Sequence, residues 1–138
     1  MPTFNNEVDY RYAWHLESIF QQEYSNYKMV IIDDFSKDKT SELIARYLKW
    51  RNFPEEKAVL IRGLKHRTAL ENIYYGVHKY CDFNQISFVL DGDDEIVGTQ
   101  VFKMFNALYQ HRKLYVVWSN YFSYDYNNAT DPITLGLS

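Results

Sequence analysis

One cysteine, Cys81, is all the thiol chemistry in a chain of 138 residues. A single sulfur closes no internal disulfide and builds no thiolate metal centre within one chain, so Cys81 reads as a small core residue. No run of about eighteen apolar residues occurs, and the amino terminus lacks a charged-then-apolar leader. The expectation is a chain with no membrane segment and no signal peptide, which leaves its location cytoplasmic or unknown. A large charge of either sign is missing too: the formal net charge is -3 and the pI is about 5.8, so no general electrostatic pull toward nucleic acid is expected. The four histidines, His15, His66, His78 and His111, show no ligand spacing such as H-E-x-x-H, and each reads as a helix-face or loop residue. Repeats and low-complexity segments are absent.

What is present is enough apolar surface to fold. Apolar residues make up 46% of the chain and aromatic ones 18%, in short punctuated runs rather than one block, and the length suits one domain over residues 1–138. Ala13, Leu16, Ile19 and Phe20 recur at helical spacing and predict a helix over residues 9–22. "YKMVIIDD" then reads as a strand. Leu43, Ile44, Tyr47 and Leu48 restore the helical period, with Asp38 or Thr40 available to cap. "KAVLIRG" is the next strand, and "IRGLKHR" with Arg62, Lys65, His66 and Arg67 reads as a solvated loop. Thr68 and Glu71 have the form of a capping box before a third helix running to about residue 81, with Ile73, Val77, Tyr80 and Cys81 as its inward stripe. "QISFVLD" is a strand, Val101, Phe102, Phe105 and Tyr109 mark a fourth helix, and "KLYVVWSN" a further strand. From Tyr121 onward nothing is assigned. Strands alternating with crossover helices predict an α/β fold with a mostly parallel sheet.

In such sheets ligands sit beyond the carboxyl ends of the strands, and here two of those ends are acidic: Asp33-Asp34 and Asp91-Gly92-Asp93-Asp94. Like charges about 4 Å apart repel by roughly 1 kcal/mol even in water. Carboxylates so placed serve metal binding, proton transfer or hydrogen bonding to a ligand. Gly92 relaxes the backbone where the strand stops, so that Asp91 and Asp93 can converge on one ligand complex. Magnesium or manganese would suit these hard oxygen donors, sharing its shell with phosphate oxygens. The bland alternative is a solvated helix entrance, with Asp94 and Glu95 near a positive helix end.

The wider context resembles a known family. "PTFNN" at residues 2–6, "SIFQQEYSNYKMVIIDDFSKDKT" at 18–40, "ALENIYYGV" at 69–77 and "FVLDGDD" at 88–94 are similar, in order and spacing, to the nucleotide-sugar half of family 2 glycosyltransferases, which have the Rossmann-like GT-A fold. The resemblance implies Phe4 against the base, Pro2 and Thr3 lining the pocket through their backbone, Asp34 accepting from a uracil N–H, Asp91 near the ribose, and Asp93 on the metal. Asp94 is the candidate second ligand, and Asp33 an organiser of its loop. The implied reaction moves a hexosyl or N-acetylhexosaminyl group from a nucleoside-diphosphate sugar, by preference a UDP-sugar, to a hydroxyl of a glycan, protein or lipid acceptor, with inversion.

Three departures from the family pattern bear on this. The family's opening strand precedes P-T-x-N, where this chain has Met1, so the first strand is expected to be a stub. Glu71 stands where the family commonly has arginine before Asn72, which leaves Arg67 or Lys65 to supply positive charge to the diphosphate. The general base follows the metal motif by more residues than remain, and neither Asp125 nor Asp131 matches it. A partial domain is therefore expected, with a non-catalytic nucleotide-sugar-binding or interaction module as the alternative. A phospho-receiver domain is a weaker third reading, since the interval from Asp34 to Asp91 is wide and no Lys-Pro pair follows the last strand.

Overall fold

Five residues, Met29-Val30-Ile31-Ile32-Asp33, form the central strand β2 of a parallel sheet that has three strands among the described residues. The computed structural model describes residues 1–111, 113–117 and 119. In order along the chain come β1 (Pro2–Thr3), a 3-10 turn (Val8–Tyr10), α1 (Arg11–Phe20), β2 (Met29–Asp33) and α2 (Thr40–Trp50). After them come a second 3-10 turn (Glu55–Lys57), β3 (Ala58–Arg62), α3 (Ala69–Tyr80) and α4 (Val101–His111). β1 pairs with β2 as Pro2↔Ile32 and Thr3↔Asp33, and β2 pairs with β3 from Met29↔Ala58 to Asp33↔Arg62.

Alternation along β2 sorts its side chains between two layers. Met29 and Ile31 join Tyr12, Leu16 and Ile19 of α1 and Ile44 of α2 in the main core. Burying an aliphatic side chain of this size stabilises by about 1.5–3 kcal/mol, and Leu16, Ile31 and Ile44 are fully buried. Val30 and Ile32 face the other way, toward α3, where Gly76 lets the helix pack closely: a Cβ there would lie 3.1 Å from Ile32 Cδ1. With α1 and α2 on one face and α3 on the other, the strand ends at β1 and β2 become the place where the chain changes sides.

The helices sit close to where the apolar periods place them. α1 is shorter at its start than the expected 9–22, because Tyr10 takes a left-handed conformation (φ 58°) between the 3-10 turn and the helix. The N-cap of α2 is Lys39, with no side-chain cap of its own, and Asp38 just before it accepts at Oδ1 from the Thr40 N–H of the first turn at 3.0 Å. The capping box of Thr68 and Glu71 is formed in both directions. The stripe expected to point inward on α3 is only half-buried: Ile73, Val77, Tyr80 and Cys81 line a cavity of about 560 Å³, and the buried positions of the helix are Asn72 and Gly76.

One expected strand is absent. Residues 85–91 form no ladder, although they run beside β1 and the cavity. β1 contributes only two residues to the sheet, so the apolar stretch 86–90 has no hydrogen-bonded neighbour and lines the cavity instead. The expected strand 113–120 lies partly outside the described residues, and its described part makes no strand. The tail from residue 121, with Asp125 and Asp131, lies outside them entirely. Among the described residues no helix is long and apolar enough to cross a membrane.

Candidate functional site

Two turns leave the carboxyl ends of β1 and β2 and are stitched to each other. The Asn5 N–H donates to Ser36 Oγ (2.9 Å), Asn6 N–H to Thr40 Oγ1 (2.8 Å) and Glu7 N–H to Asp38 Oδ2 (3.1 Å). In return Lys37 N–H donates to Asn5 Oδ1 (3.0 Å) and Lys39 N–H to Glu7 Oε2 (2.9 Å). Burial works to raise the Asp38 pKa, and the hydrogen bonds from Thr40 and Glu7 outweigh it, holding the carboxyl below its ordinary value. Asp33, fully buried, orders the second turn: it accepts from the Ser36 N–H (3.0 Å) and from the hydroxyls of Ser36 and Ser41. Both turns pass through left-handed backbone, at Asn5 (φ 51°) and Phe35 (φ 64°), which costs a non-glycine residue about 1 kcal/mol and is found where a site over-determines the chain.

The stitched turns form one wall of a hollow of about 330 Å³. Pro2, Thr3, Phe4 and Asp34 come from the strand ends, Arg67 from the loop after β3, and Asp91 and Asp93 from the acidic loop. Thus seven of the eight residues singled out from the sequence converge. The eighth, Asp94, is not part of the lining; its backbone C=O accepts from His15 Nδ1 at 2.5 Å. Gly92 fits where nothing larger could, since a Cβ there would lie 2.6 Å from Thr3 Cβ and 2.8 Å from the Pro2 carbonyl. That contact brings the acidic loop against the end of β1.

Asp34 is the most constrained acid of the hollow. Its Oδ1 accepts from the Arg67 N–H at 2.8 Å, and its Oδ2 lies 2.8 Å from His66 Nδ1. The His66 ring also meets Phe4, with centroids 5.0 Å apart. The solvated-loop reading of residues 61–67 fits Leu64, which is almost fully exposed, while His66, its side chain 64% exposed, and Arg67 also line the hollow. The Arg67 guanidinium lies over the Tyr75 ring, 5.5 Å from its centroid, so the residue meets Asp34 through its backbone. Asn72 was not assigned a role from sequence, yet it lines the hollow, is almost fully buried, and neither its Nδ2 nor its Oδ1 has a hydrogen-bond partner. An amide so placed carries a desolvation cost of about 1–3 kcal/mol, and only its position one residue after the capping glutamate could have drawn attention to it.

The acids feel one another. Burial raises the Asp94 pKa first, and the neighbouring charges of Asp93 and Asp91 raise it further. His15 beneath the loop is pushed down to about 4, chiefly by burial. Among the described residues no three His, Cys, Asp or Glu side chains converge as a self-sufficient metal cage. The acidic loop nevertheless brings carboxylate oxygens to the hollow at Asp91 and Asp93, and magnesium or manganese needs only one or two such donors when phosphate oxygens and waters complete the shell.

The sequence profile described as Glycosyl transferase family 2 matches residues 1–135. The chain belongs to this family. Its α/β architecture, with a parallel sheet and a two-residue first strand, is that of the Rossmann-like GT-A fold with a shortened opening strand. Family membership makes it a glycosyltransferase domain, acting between a nucleotide-sugar donor and an acceptor. Searches of curated proteins and of solved structures return no match.

Proposed function

We propose that residues 1–138 are a single domain whose hollow binds a nucleoside-diphosphate sugar, by preference a UDP-sugar, together with manganese or magnesium. The sugar, hexosyl or N-acetylhexosaminyl, then passes to an acceptor hydroxyl on a glycan, protein or lipid with inversion at the anomeric carbon. One observation supports the reading above the rest: the carboxylates of Asp34, Asp91 and Asp93, far apart in sequence, line the same hollow beside Phe4.

Phe4, 44% exposed, offers its face to the base, and Asp34 accepts the uracil N–H. Asp34 Oδ2 already faces His66, but a carboxylate has about four lone-pair sites, and the His66 side chain is 64% exposed and has room to turn. Asp91 takes a ribose hydroxyl and Asp93 holds the metal, with Asp94 as a second ligand once its side chain swings toward the hollow. When bound, the ion supplies Lewis-acid stabilisation of the charge growing on the departing diphosphate. Arg67 adds positive charge there by leaving the Tyr75 ring. The acceptor proton needs a base within hydrogen-bond reach, and no residue is nominated for it.

Isothermal calorimetry with UDP, with and without manganese, tests this. Manganese-dependent binding that disappears in Asp93→Ala is the expected result, and equal binding by wild type and variant would overturn the metal role. A second reading, a module that binds donor without turnover, draws support from Asp94 standing outside the hollow and Arg67 resting on Tyr75. Release of free UDP from a UDP-sugar by the purified chain would exclude it.

A further inference from the structure

Two polar residues of α1, His15 and Ser18, lie three apart on one side of the helix, Gln22 follows just beyond its C-terminal end, and all three are buried. Besides local bonds from Ser18 Oγ to the His15 C=O and from Gln22 Nε2 to the Ser18 C=O, each meets backbone groups of one distant segment. His15 Nδ1 meets the Asp94 C=O (2.5 Å), the Ile96 N–H donates to Ser18 Oγ (3.1 Å), and Gln22 Nε2 donates to the Gly98 C=O (2.6 Å). Gln22 Oε1 then accepts from the N–H groups of Val101 (3.0 Å) and Phe102 (3.3 Å), the first turn of α4. Such N–H groups have no partner inside their own helix, so Gln22, just past the end of α1, supplies α4 with its cap.

We infer that His15, Ser18 and Gln22 are positioning residues that fix the backbone from Asp94 to α4 and thereby hold Asp93 at the hollow. The inference rests on the reading of the hollow as a metal-assisted donor site. Asp93 is joined directly to the first residue so fixed, while Gly92 on its other side is wedged against Thr3. The loop is thus pinned on both flanks of its aspartate. Because a carbonyl only accepts, His15 must carry its proton on Nδ1, which leaves Nε2 a buried lone pair without a partner. An apolar side chain would fill that site without the desolvation cost. The polar set therefore places a loop rather than adding apolar stability.

The test compares wild type, His15→Leu and His15→Asn by UDP calorimetry with and without manganese. His15→Leu removes the donor; His15→Asn keeps an N–H near the Nδ1 position. The manganese-dependent gain in UDP affinity is expected to fall about tenfold in His15→Leu, the scale of lost support behind a metal ligand, and to return in His15→Asn, with metal-free UDP affinity unchanged in both. Should His15→Leu fail to fold, Ser18→Ala, which deletes one oxygen, is expected to lose part of the same gain. A full gain in the folded variants, or an equal loss in His15→Leu and His15→Asn, would overturn the positioning role alone. A wild-type chain with no manganese-dependent gain would instead overturn the donor-site reading, and this role with it.

Discussion

Gly92 is the residue at which the site has least tolerance. A methyl group there meets Thr3 Cβ, Thr3 Oγ1 and the Pro2 carbonyl at 2.6 to 2.8 Å, and the backbone oxygen cannot step aside as a flexible side chain would. Gly92→Ala is expected to cost about 1–3 kcal/mol, the usual scale of overpacking, and to weaken UDP binding by moving Asp91 and Asp93 off the strand end. Denaturant unfolding and calorimetry on the same preparation check both halves. His15 gives a second test at this scale. Its folded pKa of about 4 lies below the ordinary 6.5 because it is buried, so the unfolded chain takes up the proton first as pH falls. The stability it contributes is whole above pH 6.5 and drains between 6.5 and 4, by on the order of 3 kcal/mol over the full range. Metal-free wild type is expected to lose more stability than His15→Asn between pH 6.5 and 5, and parallel curves would contradict this.

Among the elements, the pairing of the two turns after β1 and β2 makes one wall of the hollow. Asp38 ties that pairing together, since one oxygen accepts from the first turn of α2 at Thr40 and the other accepts from Glu7. Asp38→Ala is expected to cost about 1 kcal/mol, as losing a helix cap does. It should also speed amide hydrogen exchange at Glu7 and Thr40 while leaving β3 protected. At this level the sequence was readable where apolar periodicity was strong: Leu16 and Ile19 of α1, Ile44 of α2 and Met29 and Ile31 of β2 form the core, with Ala13, Phe20, Leu43, Tyr47 and Leu48 packed half-buried against it. It failed at residues 85–91, where β propensity is a local property and the ladder partner that would use it is not. The set of His15, Ser18 and Gln22 was illegible for a related reason. Polar side chains on a helix face or just past its end look solvent-facing until the segment that covers them is known.

For the molecule as a whole, the distance in sequence between Asp34 and Asp91 is closed by the change of side between α2 and α3, which makes the strand ends the natural ligand crevice. Charge crowding at those ends made Asp34, Asp91 and Asp93 visible in advance, whereas His66 and Asn72 acquire meaning only from the hollow they line. The most direct test of the central claim is paramagnetic broadening of backbone amide signals on adding manganese with UDP. Broadening centred on Gly92 and Asp93, extending to Thr3 and Arg67 and abolished in Asp93→Ala, is the expected result. Broadening centred on another surface, or undiminished in Asp93→Ala, would contradict a shared site for metal and nucleotide at the ends of β1 and β2.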